Sequence, residues 1–529
     1  MFQQNESTPW YSSLTTLIAA SLLLPPVGLV LLWIRRDLNV QKKALGSICI
    51  LALLGGYIYL FSGPRSYPNE EHYAALERHR AEQQRLAAQQ AAQPASVDPA
   101  AASQQANANP AEQNAQAQNA QQPGQPASNG TDMAHPSETA RPARNYWTDF
   151  RGPARDGRYD ELNIRTSWPA EGLPRLWKQP VGGGYASFVI AEGRAFTIEQ
   201  RRGQEVAAAY DVETGRELWT NGWNADFRES MGGDGPRATP TWSDGRVYVL
   251  GAEGELRCLD AKTGKPYWNR NILSDNGASN LQWGMSAAPL IVDDKVVVLP
   301  GGTSGKSVVA YNKLSGAPVW KSLNDQASYT SPMLVNLAGR RQILVVTAYR
   351  IVGLAPEDGS QLWETSWENS ANINISQPIV VDKNRFFISA GYGKGAALIE
   401  VSGGGKSFLA RKVWENSNMK NKFNSSVLHN GYIYGLDEGI LSCVDVSTGE
   451  RKWKGGRYGY GQVLLASGHL IITTESGEIV LVRAAPDQHA ELARFSALEG
   501  RTWNNAALAG GRLLVRNSTQ MACYNIAAQ

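Results

Sequence analysis

Between Glu229 and Arg237 the chain reads ESMGGDGPR, two carboxylates and a guanidinium on a glycine-rich loop. Glu229 and Asp234 offer hard oxygens and Arg237 a forked donor, a set that suits an acidic ligand or a cation. A loop of this kind also pairs its own Arg and Asp for structure, so both readings stand. Further polar and aromatic residues come just ahead of short apolar runs: Trp283 and Met285 in WGMSAAP, Tyr329 before TSP, Asn372 and Asn374, Asn424, and Trp503 with Asn504. Of these, Trp283, Tyr329, Asn372, Trp503 and Asn504 join Glu229, Asp234 and Arg237 as the candidate ligand-binding set. No catalytic set emerges. The chain has no nucleophile elbow and no P-loop, and GYGKG near Gly391 sits among strands, so it is not a dinucleotide turn. His429, His469 and His489 stand singly without ligand spacing, so no metal site is expected.

These residues must be positioned by whatever builds the apolar runs between them. From Val206 onward a unit recurs in which a strand leads into a turn and a second strand with a fixed Trp: AYDVETGRELW, CLDAKTGKPYW, AYNKLSGAPVW, GLAPEDGSQLW and CVDVSTGERKW. They end at Trp219, Trp268, Trp320, Trp363 and Trp453, with degenerate copies ending at Trp414 and Phe495. Asp or Asn opens the turn, Thr or Ser caps it, Gly supplies positive φ, and the aromatic returns to dock on the next unit. The anchors are spaced 39 to 52 residues apart, the period of a four-stranded propeller blade. Between them lie hairpins with SDG, DD, HNG, SG and GG turns.

Seven anchored units leave the C-terminal TQMACYNI without a partner strand, while LPRLWKQPVG, carrying Trp177, reads as an outermost strand with no blade ahead of it. Pairing the two closes a ring. The fold class expected is therefore all-β, an eight-bladed propeller over residues 145–529. Closure also removes the free sheet edges that invite aggregation.

The N-terminal part is of another kind. Leu14 to Ile34 carries no charge and is long enough for a hydrocarbon core of roughly 30 Å. Ala44 to Ser62 is a second such run, and the connection at 35–43 holds Arg35, Arg36, Lys42 and Lys43. By the positive-inside tendency the connection is cytoplasmic, so a tail at 1–13 and everything after residue 63 lie outside the cytoplasm. Over 63–144 the expectation is a helix near Asn69 to Gln93 and then an Ala/Gln/Pro-rich coil without large apolar residues, a disordered linker. Such a coil reaches on the order of 40–50 Å.

Composition narrows the partners. Lys and Arg number 51 against 48 Asp and Glu, a net charge of +3, and the basic residues of the propeller are scattered, so nucleic acid is not expected. Cys258, Cys443 and Cys523 hold the same place in the repeated strand, in different blades, and no disulfide is expected.

The unit A-x-D-x-x-T-G-x-x-x-W resembles the tryptophan-docking motif of propellers of the pyrroloquinoline quinone (PQQ) type, over about Tyr146 to Ile526. The superfamily includes quinoprotein alcohol dehydrogenases and outer-membrane assembly lipoproteins of the BamB type. NYWTDFRGPARDGRY, GDGPRATPTW and RTWNNAALAGGRLLVRN look like a bacterial group of PQQ-like propeller proteins. The resemblance implies an inner-membrane protein with its propeller in the periplasm, binding envelope proteins, a peptide or a small ligand at the funnel. The alternative it implies is a PQQ- and calcium-dependent dehydrogenase acting on an alcohol or sugar. The adjacent cysteine pair and haem motif of the dehydrogenases are missing, and Cys49 after GSI is a poor lipobox. Scaffolding is the expected role.

Overall fold

Each repeat carries a short apolar strand, a tight turn, two longer strands and a polar outer strand, and each folds on itself as a four-stranded antiparallel blade. The structure is a computed structural model of the chain, and it describes residues 17–18, 20–21, 25–35, 38–61, 68–92, 147–405 and 407–528. Blades 1 to 7 span 189–224, 241–271, 290–322, 333–366, 379–416, 427–457 and 462–496. Blade 8 joins residues 507–525 to the strand Arg175–Pro180. In that closing pair Trp177 faces Cys523 and Lys178 faces Ala522, the ring closure that the unpaired ends of the repeat array demand. The buried Arg516 fixes it from inside, donating to Thr197 Oγ1 at 2.7 Å and the Gly182 carbonyl at 2.8 Å. The second and third strands of each blade are almost wholly buried, and apolar layers between adjacent blades make the core.

The docking aromatics show why the turn needs its glycine. Trp177, Trp219, Trp268, Trp320, Trp414 and Trp453 donate their indole N–H to Val212, Ala261, Lys313, Pro356, Val446 and Ala485 carbonyls of the following blade, at 2.8–3.3 Å. At Gly215 the φ is 73°, and a Cβ there would lie 2.7 Å from the Trp177 ring. Both positive φ and the Trp face exclude a side chain. Trp363 differs: blade 5 replaces the turn by a long hairpin over 395–416, and Trp363 donates to Gln342 Oε1 of its own blade. Phe495, which has no indole N–H, packs edge to face with Tyr524 at 5.1 Å and Trp168 at 5.7 Å.

The chain divides into two compact units, 1–66 and 67–529. In the first, helices α1 (Pro25–Ile34) and α2 (Val40–Phe61) share a small apolar cluster of Leu17, Leu32 and Ile50. Among the described residues no helix is long and apolar enough to cross a membrane. Much of 14–24 and 62 lies outside the described residues, as does the linker from 93 to 146.

Helix α3 (Glu70–Ala92) forms where strong helix formers predict it, but it packs on the propeller instead of standing free. Tyr73 and Leu76 bury one face, and Arg80 meets Glu217 at 2.6 Å. His72 Nε2 is 2.8 Å from the Val181 carbonyl, and Arg202 of blade 1 holds Glu70 and Glu77. The apolar stripe is too short to be read as a docking face from sequence; paired charges complete it.

Candidate functional site

A propeller exposes the free edge of each innermost strand to its central channel, so eight rows of unpaired N–H and C=O groups must be satisfied there. The lead segment at 147–165 does this. Trp147 bridges antiparallel to Ile190, and Arg158–Tyr159 pair parallel with Leu465 and Ala466 on the free edge of blade 7. The lead therefore runs into the channel against the innermost strands and leaves it along them. At its turn, Arg151 and Arg155 take positive φ of 62° and 56° and send their guanidinium groups to opposite sides. Arg155 donates to the carbonyls of Ala288 (3.3 Å), Pro289 and Pro332 (2.8 Å), in blades 3 and 4, and is held by Asp149 at 3.0 Å. Arg151 reaches the Ser426 and Val463 carbonyls of blades 6 and 7 at 2.8 and 3.2 Å. Burial pushes the Arg151 guanidinium down to about 10 and lowers Arg155 as well, partly offset by Asp156 and Asp149 respectively.

Above the lead, at the mouth, a belt of side chains ties each blade to the next just ahead of its innermost strand. Asn504 Nδ2 donates to Gly184 and Ala186 carbonyls, and Thr239 Oγ1 accepts from Ser187 N. Thr241 Oγ1 donates to the Pro289 carbonyl, and Ser331 Oγ accepts from Ala288 N. Gln377 Oε1 accepts from Ser331 N, Ser425 Oγ from Gln377 N, and Gln462 Nε2 donates to both Phe423 and Trp503 carbonyls. All eight joints are bridged. Asn504 thus belongs to the belt, and Asn374, buried, donates to the Thr347 carbonyl at 2.9 Å. Asn372 is exposed in a turn at φ 56°.

The rim of the mouth is aromatic. Tyr185, Trp283, Tyr329, Phe423, Tyr460 and Trp503 each precede an innermost strand, and Tyr392 joins them from the turn at 391–394 of blade 5; all are half-buried. Their centroids are 5.5 Å apart for Tyr185–Trp503, 5.1 Å for both Phe423–Trp503 and Phe423–Tyr460, and 5.8 Å for Trp283–Tyr329. Three cations lie on these rings. Arg237 is 4.6 Å from Phe227 and 5.7 Å from Tyr185, and Arg501 is 4.6 Å from Trp503. Lys422 Nζ is 5.1–5.5 Å from Tyr460, Phe423 and Tyr392, a three-ring cage.

The charged loop flagged in the sequence folds onto itself. Glu229 accepts from Met231 N at 3.0 Å and from Gly232 N, and Asp234 accepts from Glu229 N at 3.1 Å. Arg237 donates to the Gly233 and Gly235 carbonyls, and its burial lowers its affinity for the proton. The structure brings Trp283 to this loop, where a Cβ on Gly232 would lie 3.1 Å from its ring. Nearby, the buried Glu205 accepts from Ala252 N at 2.8 Å and Trp223 Nε1 at 3.1 Å, and burial pushes its carboxyl up to about 7. Sequence reasoning missed Lys422 and Arg501; each stands one or two residues before a rim aromatic, in NKF and RTW.

PQQ with a divalent cation needs free carboxylate and amide oxygens gathered around the metal and a cation for the quinone oxygen. Glu229, Arg237 and Asn504 are bonded to backbone, Asn372 stands in an exposed turn, and among the described residues no three His, Cys, Asp or Glu side chains gather as a metal site. Glu229, Arg237 and Asn372, as the fold holds them, do not fit PQQ and calcium.

Comparison with known proteins bears on the family. Residues 202–455 match the family model described as outer membrane protein assembly factor BamB. The 1-butanol dehydrogenase (cytochrome c) of Thauera butanivorans is 31% identical over 152 residues, covering 27% of this chain and 21% of the enzyme. The outer membrane protein assembly factor BamB of Burkholderia pseudomallei is 21% identical over 294 residues, covering 48% of this chain and 72% of that protein. The crystal structure of BamB from Moraxella catarrhalis superposes at a TM-score of 0.49 with 17% identity, over 67% of this chain and all of that one. The chain spans only about a fifth to a quarter of the length of the dehydrogenases it matches. Together with the docking-Trp repeat and the eight-bladed ring, the family match over 202–455 and the quinoprotein and BamB relatives support a PQQ-like β-propeller repeat protein.

Proposed function

We propose that this protein is a membrane-anchored scaffold of the bacterial envelope whose propeller binds a partner protein at the channel mouth. The observation that carries the reading is the mouth itself: a rim of half-buried aromatics with cations on their faces, above a channel already filled by the lead. A filled channel leaves surface recognition at the mouth, and aromatic residues with cations are the anchors of protein interfaces. The BamB relatives support an envelope setting. The apolar runs at 14–34 and 44–62 and the basic connection between them support an inner-membrane hairpin with the propeller on the periplasmic side.

The test is photo-crosslinking in cells with a benzophenone side chain at Tyr460 or, as a control, at the exposed Leu409 of blade 5. A discrete adduct with an envelope protein from position 460 alone is expected. No adduct from 460, or equal adducts from both, overturns the scaffold reading. The dehydrogenase relatives favour one second reading, a PQQ- and calcium-dependent dehydrogenase. Titrating the full-length protein with PQQ and calcium tests it: saturable uptake with a raised melting temperature overturns the scaffold reading and calls for a screen of alcohol and sugar substrates, and no shift far above micromolar cofactor removes the dehydrogenase reading.

A further inference from the structure

The cations of the mouth are not equivalent. Arg237 is hydrogen-bonded within its own loop, and Arg228 pairs with Asp226 at 2.9 Å. Lys420, next to the three-ring cage, pairs with Glu438 at 2.7 Å. Lys422 and Arg501 have no such partner: among the described residues no hydrogen-bond acceptor and no carboxylate within 4 Å meets the Lys422 ammonium or the Arg501 guanidinium, and both are half-buried. Each is held directly by ring faces, and Glu438, bonded to Lys420, acts on Lys422 only from beyond ion-pair distance. The carboxylates of this sector point elsewhere. Glu475 accepts from Trp503 Nε1 at 2.9 Å and Tyr460 N at 3.1 Å, Glu438 pairs with Lys420, and Asp437 pairs with Arg451 and Lys454.

A ring quadrupole orients a cation without satisfying its N–H donors, so these two groups are positioned and unfilled. They lie along one aromatic arc, Tyr392, Phe423, Tyr460 and Trp503, with Phe423 5.1 Å from both Tyr460, edge to face, and Trp503, tilted. The chemistry complementary to that arc is a carboxylate flanked by flat apolar groups. Because Arg151 and Arg155 occupy the channel below, such a group lies across the mouth as an extended chain would.

We propose that blades 5 to 8 bind an acidic, aromatic-bearing peptide segment of the partner, its carboxylates on Lys422 and Arg501 and its rings on Phe423, Tyr460 and Trp503. This rests on the scaffold reading and names the partner's chemistry. The test uses the full-length protein in detergent and a labelled peptide alternating Glu or Asp with Phe, followed by fluorescence anisotropy. Saturable binding is expected, weakened at least tenfold in Lys422→Met and in Arg501→Gln, retained in Lys422→Arg, unchanged in Arg228→Gln, and weakened by salt. Equal binding of the Gln/Asn version of the peptide overturns the proposal, as does equal binding by the Lys422→Met protein. Lys422-dependent binding of anionic lipid vesicles without peptide binding also overturns it, in favour of a headgroup site. A crosslinked partner at Tyr460 that persists in Lys422→Met leaves the scaffold reading standing while the acidic-peptide site falls.

Discussion

Two sectors of the same mouth contain similar residues in opposite states. In blade 2, Glu229, Asp234 and Arg237 close a glycine-rich loop on itself, every charge answered by a backbone group of that loop. In blades 6 and 8, Lys422 and Arg501 rest on aromatic faces with their donors open. From the sequence the first sector is the more conspicuous, because charges crowd into nine residues. Its density follows from what such a loop needs to hold its shape. What distinguishes a binding surface is the absence of partners, which only the fold reveals.

Charges engaged by the fold should therefore cost stability when removed, and open ones should cost recognition alone. The largest effect is expected at Arg155, outside both sectors but the extreme of engagement. Arg155→Met strands Asp149 and several innermost carbonyls, and should lower unfolding free energy by about 3–5 kcal/mol in denaturant titration. Next is Glu205. Its carboxyl is neutral-favouring when folded, so the folded state holds the proton more tightly than the unfolded one. Stability should therefore fall as pH rises from about 4.5 to about 7 and level off above, by on the order of 3 kcal/mol in all. In Glu205→Gln that slope should vanish from melting curves taken across pH 4–8. Arg237→Met should cost about 1.5–3 kcal/mol, the worth of its bonds to two carbonyls. Smallest of all, Lys422→Met should shift stability by no more than about 0.5 kcal/mol. A melting temperature lowered as much by Lys422→Met as by Arg237→Met would erase the contrast between the sectors.

The ring was legible because its determinants are local and repeated. A turn of type D-x-x-T-G followed by Trp writes the docking of each blade on the next, and the unpaired TQMACYNI and LPRLWKQP could only meet each other. Cys258, Cys443 and Cys523 fall on third strands as the repeat requires. The rim was half legible, since Trp283, Tyr329 and Trp503 come just ahead of apolar runs, whereas Lys422 is one lysine among many until Tyr392 and Tyr460 close around it. The lead was illegible for a different reason. Arg151 and Arg155 are bonded to carbonyls between about 130 and 310 residues away, in strands that any side chain could line. Helix α3 was expected as a helix, but its seat depends on Arg202 and Glu217, far along the chain.

The lead also sets a schedule. Residues 147–180 are made before the strands they pair with, the blade 7 edge at 465–466 following Pro180 by some 285 residues and the strand at 520–525 by some 340. At roughly 5–20 residues per second, the outer strand of blade 8 waits about 20–70 s for its partner, while the carbonyls that seat Arg155 and then Arg151 are made within that interval. Blades 1 to 6 can form in order during that interval, but the ring can lock only when the last strand arrives. The ring is therefore most exposed to proteases and misassembly until that strand is made, and removing residues 520–525 should leave blades 1 to 7 made and the circle open.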